Sequence, residues 1–422
     1  MSKSKVVQSK KESVFAKNRL VVSPPVKNEK KETHQAPSVI VEKFLTDRFD
    51  FRINSVLNKV EYRLRGESAF CILDEFNYNS INRLILTNGL SCSIQMLRTL
   101  LYSDYVIKYN PFVEYFTNLP KWDGVTDYIG AIAKTVSTND EDFWQLCFKR
   151  WFVALLACSI EPKVINHTVI VFSGKQGIGK TTWLRNLIPL ELDQYVYSGS
   201  INPDNKDTLI QISECILINL DELESLNRSE LGSVKELITK DAIRIRRAYG
   251  RDSENYVRRA SFAGSVNKKE FLSDTTGNRR FLCFEVDKID YSKKLDLIGA
   301  YSQAYSLFNS GFKYWFSPDE VDLINKSNEQ FRMASLEEEW LLENFEPCEV
   351  VDAQEIKSTM ELIKMMSIDQ KVFNPDSSGK KLGMALKAYG FKSFKKNQRK
   401  VYALKRSSYP IFGVTTSDTD SV

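Results

Sequence analysis

The stretch that most limits what this chain can fold into is "HTVIVFSGKQGIGKTTWLRNL", residues 167–187. Its first part is short, rich in β-branched residues and almost wholly apolar, as a parallel strand covered on both faces must be. Gly174, Gly177 and Gly179 follow, a backbone free to curl inward, and Lys180, Thr181 and Thr182 open a segment with helical character. Four residues separate Gly174 from Gly179, the spacing G-x-x-x-x-G-K-[ST]. In such a loop, N–H groups and a helix N-terminus surround phosphate oxygens. The expected cradle is therefore Gly174, Lys175, Gln176, Gly177, Ile178, Gly179, Lys180, Thr181 and Thr182. Lys180 would reach the β- and γ-phosphates and Thr181 would offer its hydroxyl to Mg²⁺, which makes ATP and Mg²⁺ the expected cofactors. A flexible glycine turn with no ligand is the plainer alternative.

One such loop suits kinases, GTPases and motors alike, so the strands that follow decide between them. The texture of the first strand returns in "CILINL", "ASFAGSV" and "RRFLCFEV", separated by stretches long enough for crossovers, which predicts a parallel α/β core over 166–286. "CILINL" runs into Asp221 and Glu222. Asp221 has the place of a Mg²⁺-ordering carboxylate and Glu222 that of a base that polarises water. The alternative is an ordinary acidic strand end in which Glu222 and Glu224 favour a helix N-terminus. Asn267, at the end of the next strand, suits a water-orienting sensor, although asparagine also forms turns. Arg279 and Arg280 stand immediately before the last strand. Either guanidinium, delivered across a subunit boundary, would neutralise transition-state charge; surface ion pairing is the bland reading.

Between Glu222 and Asn267 lies "ITKDAIRIRRAYGRDSENYVRRAS", in which Lys240, Arg244, Arg246, Arg247, Arg251, Arg258 and Arg259 crowd an alternating strand and a glycine-centred turn. Cations for phosphate and the Tyr249 ring for a base would suit a nucleic-acid backbone. A solvated basic hairpin is the alternative, and Arg246 and Arg247, as strand neighbours, cannot both face one ligand.

Composition narrows the class. The 422 residues, 42% hydrophobic and 27% charged, suffice for a sizeable core and two or three folding units. Seven cysteines without a C-x-x-C pair and only two histidines leave no zinc-ligand spacing, and reduced thiols suit a cytoplasmic protein. No secretory apolar segment follows Met1, and "WFVALLACSI" is too short and too charge-flanked to span a bilayer, so no membrane partner is expected. A net charge of +5 is mild for a nucleic-acid binder, so the distribution of cations carries more information than their sum. Residues 1–38, rich in Lys, Ser, Pro and Glu, are expected to be a disordered basic tail or linker. An α-rich module is expected over 39–160, the α/β domain over 161–345, a small basic domain over 346–410 and a polar tail over 411–422. In the small domain, Leu382, Leu386 and Tyr389 make a helical apolar stripe, Gly390 stops it, and Lys392, Lys395, Lys396, Arg399 and Lys400 follow on a hairpin. That outline fits a winged-helix-like module with cations available to phosphates; a solubilising appendage would look similar.

The order "GKQGIGKT", "LDEL", "TKDAIRIRRAYGR", "GSVN" and "TGNRRF", preceded by "NPFVEYFTNLPKWDG", resembles the ATPase domain of the virulence-associated protein E family over roughly Val39 to Phe345. The resemblance implies a P-loop NTPase core, AAA+ or superfamily 3 helicase-like. Such a protein would form a homo-oligomeric ring that unwinds or translocates DNA in the replication of a mobile element. It assigns Lys180 and Thr181 to phosphate and magnesium, Asp221 and Glu222 to the second acidic motif and Asn267 to the sensor. Lys240 to Arg251 become the DNA-facing hairpin, and Arg279 or Arg280 the finger. Some relatives carry a primase-like domain upstream; residues before Val39 show none, so coupled priming would need a separate chain. The alternative to a motor is an ATP-gated nucleic-acid-binding switch, an initiator or defence factor. A small-molecule kinase leaves Glu222, Asn267 and the hairpin without a purpose.

Overall fold

The computed structural model describes residues 36–202, 205–221, 223–226, 228–246, 252–272, 277–369 and 375–407. Glu222, Arg247, Tyr249 and Arg251 lie outside the described residues, as do nearly all of the tails expected over 1–38 and 411–422. Contacts divide the chain into two units, one built from the residues up to 53 with 59–108, the other from 54–58 with the residues from 109 onward.

The first unit follows the apolar spacing of its sequence. Helix α1 (Pro37–Thr46) starts on a proline, which needs no N–H partner in a first turn. Strands β1 (Phe49–Asn54), β2 (Lys59–Leu64) and β3 (Cys71–Ile72) precede helices α2 (Glu75–Thr87) and α3 (Ile94–Leu101), and β4 (Ile107–Tyr109) completes a sheet of order β3-β2-β1-β4. Asp74 and Ser93 cap α2 and α3 by accepting from the N–H groups of Asn77 and Met96. Val41, Leu45, Ile53, Ile85, Leu97 and Leu101 close the core beneath them.

The second unit opens with α4 (Pro111–Thr117), α5 (Tyr128–Ala133), strand β5 (Val136–Thr138) and α6 (Glu141–Ile160). Then come β6 (Val169–Ser173), α7 (Lys180–Arg185), β7 (Val196–Gly199), α8 (Lys206–Glu214), β8 (Leu217–Asp221) and α9 (Arg228–Thr239). A two-stranded antiparallel hairpin of β9 (Ile243–Ile245) and β10 (Glu254–Tyr256) follows, then β11 (Ser261–Val266), β12 (Phe281–Ile289), α10 (Leu297–Asn309) and α11 (Pro318–Asn328). The central sheet has the order β5-β12-β6-β11-β8-β7. From β12 to β7 every pairing is parallel, and β5 joins antiparallel at the edge of β12.

Alternate residues of the sheet face two cores, as a strand period of two requires. Ile170, Phe172, Ala263, Leu282 and Phe284 pack against α6 and α10. Val171, Ile218, Phe262 and Cys283 pack against α8 and α9 through Ile212, Leu231, Val234 and Ile238. Helix α6 is the one described helix long and apolar enough to cross a membrane, yet most of its apolar window is buried in this core. Its indoles find acceptors there, Trp144 on Ala133 O at 3.0 Å and Trp151 on Phe262 O at 3.1 Å.

The α-rich module expected over 39–160 is therefore not one unit. Residues 59–108 group apart from α4, α5, β5 and α6, which belong with the central sheet. The physical reason is long-range: β5 pairs with β12, far away in sequence, and no local pattern announces that partner.

The chain ends in α12 (Leu336–Asn344), β13 (Phe345–Pro347), β14 (Glu355–Ser358), α13 (Thr359–Asp369), α14 (Pro375–Ala388), β15 (Ser393–Lys396) and β16 (Arg399–Arg406). β14 pairs along one edge of β16, while β15 and β13 share the other, all antiparallel. Trp340, Leu341, Leu362, Leu382, Leu386 and Leu404 form a core of their own. That core draws in α12, ahead of the boundary expected at 346. Asn397 and Gln398 take positive φ at the turn between β15 and β16, the geometry of a tight two-residue hairpin.

Candidate active site

Three parallel strands bring their C-terminal ends to one place. Val266 of β11 lies opposite Ser173 of β6, and Ser265 opposite Asp221 of β8, so the glycine loop, the acidic strand end and Asn267 emerge side by side. The crevice beyond the carboxyl ends of parallel strands is where open α/β sheets bind ligands. The loop between β6 and α7 needs glycine at its first position, where an added Cβ would sit 2.6 Å from Val286 O.

Lys180 is the first residue of α7 and only 6% exposed. Its ammonium donates to Gly174 O at 2.6 Å, Lys175 O at 2.9 Å and Asn267 Oδ1 at 3.3 Å. Burial lowers its pKa from the ordinary lysine value, and the charge of Glu224 pulls the other way. One helical residue on, Thr181 Oγ1 donates to Asp221 Oδ1 at 3.0 Å. The same carboxylate oxygen accepts from the Asn219 amide at 3.1 Å and from Ser265 Oγ at 3.4 Å. Asp221 is thus pinned by donors from its own strand, from the neighbouring strand and from the loop helix. Lys175, Gln176, Gly177 and Thr182 are exposed at the mouth of the loop, and Ile178 and Gly179 are half-buried.

Sequence reasoning missed three of these groups. Asn219 is an amide inside an otherwise apolar strand, a signal that was there to be used; Ser265 gave none. Glu224, expected as a helix-terminal charge, accepts the backbone N–H of Asn267 on Oε1 at 2.9 Å, and its Oε2 is buried without a partner among the described residues. It therefore fixes the position of Asn267.

The arginines expected as a finger stand elsewhere. Asn278–Arg280 form a single 3-10 turn leading into Phe281, and Phe281 pairs with Val169, at the beginning of β6. The glycine loop leaves from the other end of β6, so at about 3.3 Å per residue roughly 13 Å of strand separates the two. Arg279 is exposed, and Arg280 is half-buried with Nη1 on Gly277 O at 3.4 Å and its Nε buried without a partner among the described residues. Neither belongs to the cluster around Lys180 of its own chain.

In the basic hairpin, Ile243 and Ile245 turn into the core while Arg244 and Arg246 are exposed and Lys240 is half-buried. Arg258, counted among the hairpin cations, is a correction: it is 1% exposed and donates to Cys158 Sγ, Ile238 O and Asn166 O. Arg259 is also drawn inward and donates to Val257 O. In the C-terminal hairpin, Lys395, Lys396 and Arg399 are exposed around the β15–β16 turn. Among the described residues no three His, Cys, Asp or Glu side chains cluster as a metal-binding set.

With this geometry in view, comparison with known proteins adds one decisive match. The virulence-associated protein E-like domain matches residues 116–333, more than half of the chain. This chain belongs to the VapE-like family. The VapE-like match runs from the end of α4 to the segment after α11, and so includes the central sheet, the glycine loop and the basic hairpin; it is narrower than the resemblance expected from Val39 to Phe345. No curated protein matches. Among solved structures, the apo C-terminal region (305–718) of NrS-1 is similar at 12% identity and a TM-score of 0.45, covering 89% of this chain and 100% of that one. An A form of the same apo region gives 12% and 0.45, covering 88% and 100%.

Proposed function

We propose that this VapE-like protein is a Mg²⁺-dependent ATPase with a P-loop core that works on nucleic acid as a homo-oligomeric ring. The observation that carries the reading is the convergence of the glycine loop, the Thr181–Asp221 pair at 3.0 Å and Asn267 at the ends of three adjacent parallel strands. A hydroxyl and a carboxylate oxygen at that separation suit neighbouring positions around a small octahedral cation, whose ligands at 2.0–2.1 Å lie about 3 Å apart. Magnesium bound there would neutralise charge on the phosphate oxygens.

The chain's own residues divide the remaining work. Loop N–H groups and the start of α7 bind phosphate, and Lys180 exchanges a carbonyl partner for a γ-phosphate oxygen. Asn219 and Ser265 hold Asp221 in place. Glu222 is the proposed base, and Asn267, set by Glu224, orients the attacking water. Because Arg279 and Arg280 stand at the other end of the sheet, either would serve the nucleotide of a neighbouring subunit. Arg244, Arg246 and the cations of the C-terminal hairpin are proposed to meet phosphates of DNA. The order α12, β14, α13, α14, β15, β16 fits a winged-helix-like module, with the β15–β16 hairpin as its wing.

The test is ATP turnover by the full chain with and without single-stranded DNA, alongside Lys180→Ala. Turnover that DNA stimulates and Lys180→Ala lowers at least about a hundredfold, as expected for losing a charged group that acts in the transition state, supports the motor. ATP binding without turnover would replace the motor by a nucleotide-gated binding switch, and failure to bind ATP would remove both.

A further inference from the structure

We infer that Tyr291 and the pocket beside it bind the base of the nucleotide whose phosphates the glycine loop holds. The inference rests on the proposed nucleotide site and goes beyond it, since neither the loop pattern nor the family match says how a base would be recognised.

Tyr291 lies just past the end of β12, where the N–H of Asp290 donates to Thr135 O at 2.9 Å and fixes the chain's course. Its ring is pressed against the last glycine of the loop: a Cβ at Gly179 would stand 2.1 Å from Tyr291 Cδ1 and 2.6 Å from Cγ. Gly179 also has φ +94°. The position thus excludes side chains twice over, by conformation and by the ring. From the other side, the Asn186 amide at the end of α7 donates to Tyr291 O at 3.5 Å. The ring touches the loop at Gly179, yet Tyr291 remains 47% exposed.

A cavity of about 360 Å³ opens there, lined by Arg185, Asn186, Tyr291, Lys293, Leu295 and Leu297 among others. It lies within the size range of small-molecule sites. Leucines give apolar walls, the tyrosine a stacking face and the lysines positive charge. The one carboxylate in its lining, Asp193, is already engaged by Arg185 at 3.0 and 3.1 Å. A flat heteroaromatic ring attached to a polyanion fits these three properties together. Stacking on Tyr291 leaves the phosphates to run along the N-terminus of α7, which begins at the glycine the ring touches.

The experiment compares binding of ATP and of inorganic tripolyphosphate, each with Mg²⁺, by calorimetry on the full chain. Wild type should bind ATP about tenfold more tightly than tripolyphosphate, the scale of one aromatic–base stack. Tyr291→Ala should lose that margin while its tripolyphosphate affinity is unchanged, and Tyr291→Phe should keep it; a thermal midpoint near wild type confirms that the alanine variant is folded. Equal loss for both ligands, or no loss for ATP, overturns the role of Tyr291. Lys180→Ala should weaken both ligands. A wild-type protein that binds neither overturns the nucleotide site itself, and the base pocket with it, a result distinct from the failure of Tyr291 alone.

Discussion

Arg258 and Arg244 lie in one basic stretch of sequence and have opposite fates. Arg244 alternates with two buried isoleucines and is exposed, whereas Arg258 donates to a thiol and two carbonyls inside the core and has its pKa lowered by burial. Removing it would strand Ile238 O and open a cavity. Arg258→Ala should therefore cost about 2–4 kcal/mol, seen as a shift of the urea midpoint, with DNA affinity unaltered in the protein that remains folded. Glu320 gives a pH-dependent test. Arg150 clamps its carboxylate with two bonds of 2.6 and 2.7 Å, and the Ser317 N–H adds a third at 2.7 Å, which holds the pKa at about 2 instead of 4.5. A carboxylate with a depressed folded-state pKa stabilises above its unfolded value, and that contribution is lost as pH falls. The gap in thermal midpoint between wild type and Glu320→Gln should be largest at pH 7 and shrink steadily between pH 4.5 and 2; a constant gap would refute the assignment.

At the scale of elements, the β15–β16 hairpin is the most separable feature. Its apolar residues Val401, Tyr402 and Leu404 hold it to the small core, leaving Lys395, Lys396 and Arg399 at the exposed end. Charge reversal there touches no packing. Replacing all three by Glu should weaken single-stranded DNA binding and reduce the slope of log affinity against log salt by about 2, with ATP turnover in the absence of DNA unchanged. An unchanged salt slope would leave the hairpin as a solubilising element. Helix α6 is the contrasting case: its stretch Trp151–Cys158 is apolar on every face because the sheet, α5 and α10 enclose it, and no residue there can be altered without loss of the core.

At the scale of the whole molecule, the separation of Arg279 and Arg280 from Lys180 has a direct consequence. If an arginine acts on a neighbour's nucleotide, two inactive proteins can repair one another. Lys180→Ala retains its arginines, and the double variant Arg279→Ala/Arg280→Ala retains its loop. Mixed in equal amounts, they should recover a measurable fraction of ATP turnover although each alone is about a hundredfold or more below wild type. No recovery in mixed oligomers confirmed by native mass measurement would remove the shared site.

Periodicity and motif spacing by themselves determined the strand–loop–helix over 167–187, the acidic strand end at Asp221 and the closing basic hairpin, because each is written in adjacent residues. The long-range pairings were decided only in three dimensions: β11 inserted between β6 and β8, β5 added to the edge of β12, and Arg279 and Arg280 sent to the far end of the sheet. So were the roles of Asn219, Ser265 and Glu224, whose partners Asp221 and Asn267 reach them through strand register or a hydrogen bond that no spacing rule encodes. Local sequence sets backbone preference and apolar face; which polar atom meets which is fixed only when burial drives most donors and acceptors to find partners.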